Sequence, residues 1–264
     1  MNLKNRFLPL FFILILSHAY AGVVVLEGKY QNKNLYVKNN FAANGVGFCA
    51  YEVLINGKVT ADETNSSAFE IDFSASGIKP GSNVIVEIKY KNDCTPKIIN
   101  PEALKPKATF ELINSRIDKN GLLIWTTKNE MGSLPFIVEQ FRWNKWVKVG
   151  EINGKGELEG GVYSFQTTAH SGENRFRLKQ IGYGGVAKLS NDLTNISILL
   201  QPTYALTKNG DAIQFSSETQ FEIYDSFGNV LKQGFDKRID ISNLSKGNYY
   251  LCYDNVITDF KIRK

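Results

Sequence analysis

The dominant pattern along the chain is an alternation of apolar and polar positions with a period of two. In Val84-Ile85-Val86-Glu87-Ile88-Lys89-Tyr90-Lys91, the residues Val84, Val86, Ile88 and Tyr90 share one face and Glu87, Lys89 and Lys91 the other. That is the signature of a strand buried on one side. Phe69-Glu70-Ile71-Asp72-Phe73 alternates in the same way. Val53-Leu54-Ile55 and Lys58-Val59-Thr60 flank Asn56-Gly57, which predicts a two-residue hairpin because Asn-Gly accepts the positive φ of a type I′ turn. Asn120-Gly121, Asn153-Gly154, Asn209-Gly210 and Gly228-Asn229 mark further turns. No stretch carries a helical stripe of period 3.6. Short strands with turns about every 8–12 residues predict an all-β chain folded as antiparallel sandwiches.

Three sandwich modules are expected. The first spans 22–106 and closes with the linker-like Pro101-Glu102-Ala103-Leu104-Lys105-Pro106. The second covers 107–193, and the third covers 194–264 with a break at Gln201-Pro202-Thr203. Composition fits this division. Of 264 residues, 43% are hydrophobic and 22% charged, with 17 Phe and 12 Tyr favouring strands. Three Cys are too few to replace apolar cores with a disulfide scaffold.

Residues 1–21 stand apart. A basic start containing Lys4 and Arg6 leads into the apolar run Phe7 to Leu16, then Ser17-His18-Ala19-Tyr20-Ala21. This is the layout of a secretory signal peptide with cleavage after Ala21. The run is half the roughly 20 residues of a membrane-spanning helix, and no second span follows it. Gly22, not Cys, follows the cut, which argues against a lipoprotein anchor. Cleavage leaves 29 basic against 26 acidic residues, a net +3 that gives solubility and no nucleic-acid signature. In an oxidising compartment Cys49 and Cys94, the two Cys of the first module, are expected to pair, contributing about 4 kcal/mol by loop closure. The alternative is two buried thiols. Cys252 reads as a small buried apolar residue.

The third module carries the most specific pattern. It contains Phe221-Glu222-Ile223-Tyr224-Asp225-Ser226-Phe227-Gly228, then Ile239-Asp240-Ile241-Ser242-Asn243-Leu244-Ser245-Lys246-Gly247-Asn248-Tyr249, and ends Phe260-Lys261-Ile262-Arg263-Lys264. This resembles the type A C-terminal sorting domain of bacterial type IX secretion cargo. The resemblance covers 221–264 and assigns sorting-motif roles to Tyr224, Asp225, Gly228, Ile239, Asp240, Leu244, Gly247, Tyr249 and Lys264. Upstream, where the family carries a Pro-Asn-Pro motif, this chain has Gln201-Pro202-Thr203. The resemblance implies export through the periplasm to the surface or medium, with the type IX outer-membrane machinery as partner. The second module, with Leu123-Ile124-Trp125, Trp146-Val147-Lys148 and Arg175-Phe176-Arg177, resembles a fibronectin-III-like module. The first resembles an immunoglobulin-like or transthyretin-like sandwich.

Candidate chemistry is thin. After cleavage His170 is the sole histidine, in a stretch, Ala169-His170-Ser171-Gly172, that reads as a polar surface loop without a nucleophile elbow. One His and no paired Cys spacing give no zinc set, and Gly182-Tyr183-Gly184-Gly185 lacks the residues of a phosphate cradle. No catalytic residue, metal or cofactor is therefore expected. Glu70 and Asp72 share a strand face, but with Phe69, Ile71 and Phe73 turned inward both are expected in solvent. The sharpest binding candidate is Phe141-Arg142-Trp143-Asn144-Lys145-Trp146, where Trp143 and Trp146 with Arg142 offer stacking for a surface glycan or a protein ligand. Cross-strand packing of the same rings is the competing reading. The functional expectation is a non-catalytic secreted protein; the alternative is a glycan- or protein-binding adhesin.

Overall fold

The computed structural model describes residues 22–43, 45–91 and 94–263. The expected signal peptide, residues 1–21, and Lys264 lie outside the described residues. The chain divides into two compact units. The first holds residues 22–28, 33–79 and 83–103, and the second holds 29–32, 80–82 and 104 onward.

The first unit is built on β1 (Gly22–Lys29), β2 (Leu35–Lys38), β3 (Ala50–Ile55), β4 (Lys58–Val59), β5 (Ala68–Ile71), β6 (Asn83–Tyr90) and β7 (Lys97–Ile98). These form two sheets, ordered β1-β6-β3-β4 and β5-β2-β7. Alternation buries Val84, Val86 and Ile88 of β6, and likewise Phe69, Ile71 and Phe73. Asn56 and Gly57 both have positive φ between β3 and β4, as the type I′ hairpin requires. Asp72 caps its turn by accepting from the Ser74 and Ala75 amides. A disulfide joins Cys49 to Cys94 across a Cα separation of 5.8 Å.

The second unit contains two apolar cores. The first of these lies between sheets made of β8 (Glu111–Ile117), β9 (Leu122–Lys128), β10 (Pro135–Arg142), β11 (Lys145–Asn153), β12 (Val162–Gln166), β13 (Gly172–Ile181), β14 (Ala187–Leu189) and β15 (Leu193–Ser197). One sheet runs β12-β9-β8; the other runs β11-β10-β13-β14, with β15 also on β13. Trp125, Phe136, Tyr163, Phe110 and Leu178 fill the space between them. The second core is enclosed by β16 (Tyr204–Leu206), β17 (Ala212–Tyr224), β18 (Val230–Asp240), β19 (Gly247–Tyr253) and β20 (Val256–Ile262), ordered β16-β17-β19-β20 with β18 on β17. Phe215, Phe221, Ile223, Leu251, Tyr253 and Phe260 occupy its interior.

One expected boundary moves. Cutting between 193 and 194 would sever β15, whose Leu193–Ser197 pairs residue by residue with Phe176–Gly172 of β13. That segment therefore completes the second sandwich, and the third starts with β16. The reason is the alternation Leu193, Asn195, Ser197, which turns one face inward while Thr194 and Ile196 stay exposed.

Candidate functional site

The resemblance-carrying residues of the third sandwich each have a mechanical role. Asp225 ends β17 and closes the β17–β18 turn. Its Oδ1 accepts from the Phe227 and Asn229 amides at 2.8 and 2.9 Å, and its Oδ2 from Asn229 Nδ2 at 2.8 Å. These bonds, Asn229's side chain foremost, hold its carboxyl below the usual carboxylate range. Gly228 has φ +85°, which a side chain disfavours, and Phe227 stands 88% exposed at the tip. Asp240 repeats the device after β18, accepting from the Ser242 amide at 2.9 Å, and its carboxyl is likewise lowered. Ile239 is buried and Leu244 packs against the same core. Gly247 opens β19, and Tyr249 stacks on Phe260 with its hydroxyl donating to Ser245 O at 2.8 Å.

Tyr224 points elsewhere. Its hydroxyl donates to Glu222 and accepts from Lys145 Nζ, and Lys145 pairs with the nearly buried Glu222 at 2.5 Å. Burial pulls the Lys145 ammonium down, yet the hydrogen bonds to Glu222 and Tyr224 outweigh it, and the net shift is upward. Lys145 belongs to β11 of the neighbouring sandwich, so the Tyr-Asp motif lies at a joint between the two sandwiches of the second unit.

That joint absorbs most of the residues expected to bind a ligand. Trp143 and Asn144 are the two central residues of the β10–β11 turn, with φ +52° and +59°. A tryptophan rarely adopts this conformation, and here its ring is only 6% exposed. Arg142 is 1% exposed: its Nη2 donates to Thr168 O at 2.8 Å, its Nη1 to Asp254 O at 3.2 Å, and its Nε to Gln140 at 2.7 Å. Burial lowers this guanidinium to about 10, opposed by the charge of Asp254. Asp254, in the β19–β20 turn, accepts in return from the Ser171 amide at 3.0 Å and the Ser171 hydroxyl at 2.5 Å. Neither Arg142 nor Trp143 is therefore placed to stack on a ligand at the surface. Trp146 stays half-buried, but its ring faces Phe141 at 5.4 Å and the Arg177 guanidinium lies over it at 4.2 Å. Cross-strand packing takes up these rings.

His170 also departs from expectation. The loop before β13 is not a solvated one: His170 is 1% exposed, and Asn174 ties it down through the His170 amide and carbonyl. Its Nδ1 donates to Ser171 O at 2.7 Å, Nε2 meets no partner among the described residues, and burial lowers its pKa. The same joint lies beside it, where Asp254 of the third sandwich holds the adjacent Ser171. Asp254 and Glu222 carried no signal in the sequence, since each sits where the pattern reads as turn or exposed strand. Among the described residues no group of three or more His, Cys, Asp or Glu is placed to hold a metal.

Comparison with known proteins adds the deciding observation. Residues 207–263 match the family described as a secretion system C-terminal sorting domain. These residues carry a type IX sorting domain. The sorting domain so matched takes in the motif residues from Tyr224 to Tyr249, leaving out Lys264, together with the Glu222, Tyr224 and Asp254 contacts at the joint. Such a domain indicates export by type IX secretion to the cell surface or the extracellular space. No helix among the described residues is long and apolar enough to cross a membrane.

No curated protein matches the chain in sequence. Among solved structures, the tetra-tandem repeat of the extending region of a large adhesion protein is 13% identical, covering 94% of this chain and 76% of that one, with a TM-score of 0.33. The FN1–FN3 domains of chicken CNTN1 are 11% identical over 92% of this chain and 98% of that one, TM-score 0.28. A β-D-glucuronidase from Dictyoglomus thermophilum is 13% identical over 79% of this chain and 41% of its own, TM-score 0.20.

Proposed function

We propose that the protein is a non-catalytic cargo of type IX secretion, in which the sandwiches before residue 204 are the delivered part and the sorting domain is the address. The observation that carries this reading is the sorting-domain match at 207–263. The non-catalytic part is supported by where the interior titratable groups are engaged. His170 and Asp254 tie loops at the joint. Buried Glu130 holds the Tyr163 hydroxyl and the Gly156 amide within the second sandwich.

The test is a reporter carrying residues 204–264 behind a signal peptide, expressed in a host with type IX secretion and fractionated into periplasm, surface and medium. The reporter is expected outside the outer membrane, while the same reporter without 204–264 stays periplasmic. Retention of both in the periplasm would overturn the reading.

A further inference from the structure

A groove of about 760 Å³ lies between β16 and β20 of the sorting domain. The two strands are the opposite ends of the sheet order β16-β17-β19-β20, so each has an edge without a strand partner among the described residues, and both line the groove. A strand edge left open is a template for another chain, and folded proteins commonly guard it with charge. β18, the other strand with a single neighbour in this sandwich, is guarded in that way: Lys232, Asp236, Lys237 and Arg238 run along it. The β16 edge carries no such guard, reading Tyr204-Ala205-Leu206, and Phe260 and Ile262 add apolar lining from β20. Tyr204 bridges one end of the opening by donating to Asp259 O at 3.2 Å. Around the groove stand Lys208, Lys261 and Arg263, none in an ion pair among the described residues.

We infer that this groove takes an added β-strand from a partner: an extended segment with apolar residues at alternate positions and carboxylates between them. Main-chain pairing to the uncharged β16 edge supplies affinity, the apolar lining sets register, and the three unpaired cations select acidic over basic segments. The inference rests on the sorting reading and deepens it, because it names the surface through which the domain is recognised.

The probe is an alternating Glu/Val octapeptide titrated into the mature protein, residues 22–264, with backbone amide shifts followed by NMR. Shifts confined to 204–210 and 256–263 are expected. Binding should weaken about tenfold in the combined Lys208→Gln, Lys261→Gln, Arg263→Gln variant, and vanish for a peptide N-methylated at alternate residues. Equal binding of a Lys/Val octapeptide, shifts elsewhere, or no binding would overturn the inference. So would self-association of the protein through the same residues, since the occupant would then be a second copy. The export assay keeps the two readings apart: a reporter that is exported although its groove binds nothing removes the groove alone, whereas a reporter retained in the periplasm removes the sorting reading.

Discussion

Arg142 and Lys145, three residues apart, show how burial decides what a cation contributes. Arg142 is enclosed and its guanidinium serves three acceptors, so Arg142→Ala takes a donor from the Thr168 and Asp254 carbonyls and from Gln140 Oε1. A loss of about 2–4 kcal/mol is expected in urea unfolding. Lys145 reaches Glu222 from a side chain that is itself exposed, and Lys145→Ala should cost less than about 1 kcal/mol. Comparable losses at the two positions would contradict the assignment of Arg142 to a buried joint. His170 gives the joint a pH dependence. Its folded-state pKa is lowered from 6.5, so below that value the unfolded chain binds a proton that the folded chain refuses. Stability should therefore fall as pH drops from 7 towards 5, and His170→Gln should flatten that slope; an unchanged slope would remove His170 as its source. None of this was legible beforehand. A single sequence shows that Trp143, Asn144 and Asp254 suit turns, and turns are ordinarily solvated. It does not show that two turns from different sandwiches meet.

At the scale of elements the sequence was far more informative. Period-two alternation located β6 and β5 with the correct inward faces, and Asn56-Gly57 identified the β3–β4 hairpin, because these signals are local and depend on one strand and one turn. The limit appeared at β15, where the choice between neighbouring sandwiches depends on long-range pairing with β13. The disulfide is the strongest single constraint on the first unit, closing a loop between positions 45 apart. Replacing both cysteines, Cys49→Ala with Cys94→Ala, should lower the unfolding free energy of that unit by about 2–4 kcal/mol, read from denaturant curves with and without reductant. Reductant should then have no further effect on the double variant. A wild-type protein indifferent to reductant would show that the bridge adds little. Cys252 is buried in β19 and its thiol is pushed up by that burial, which keeps it out of exchange with the bridge.

At the scale of the whole molecule, the motif residues of the sorting domain were legible through their resemblance to the family, and the signal is local because Asp225 and Asp240 close their turns with bonds that reach no further than four residues. The attachment of that domain to the preceding sandwich could not. The connecting segment illustrates the difference. Ile198 and Leu200 are almost fully exposed between β15 and β16, while Leu199, Leu200 and Pro202 line a hollow of about 180 Å³ with Arg142 and Asp254. A cut anywhere from 198 to 203 would therefore do more than shorten the chain. With the sorting domain gone, Arg142 would lose the Asp254 carbonyl it serves. The shortened protein would carry a guanidinium donor that the intact chain keeps engaged. A break in this connection would thus turn an internal contact of Arg142 into an open donor at the end of the second sandwich.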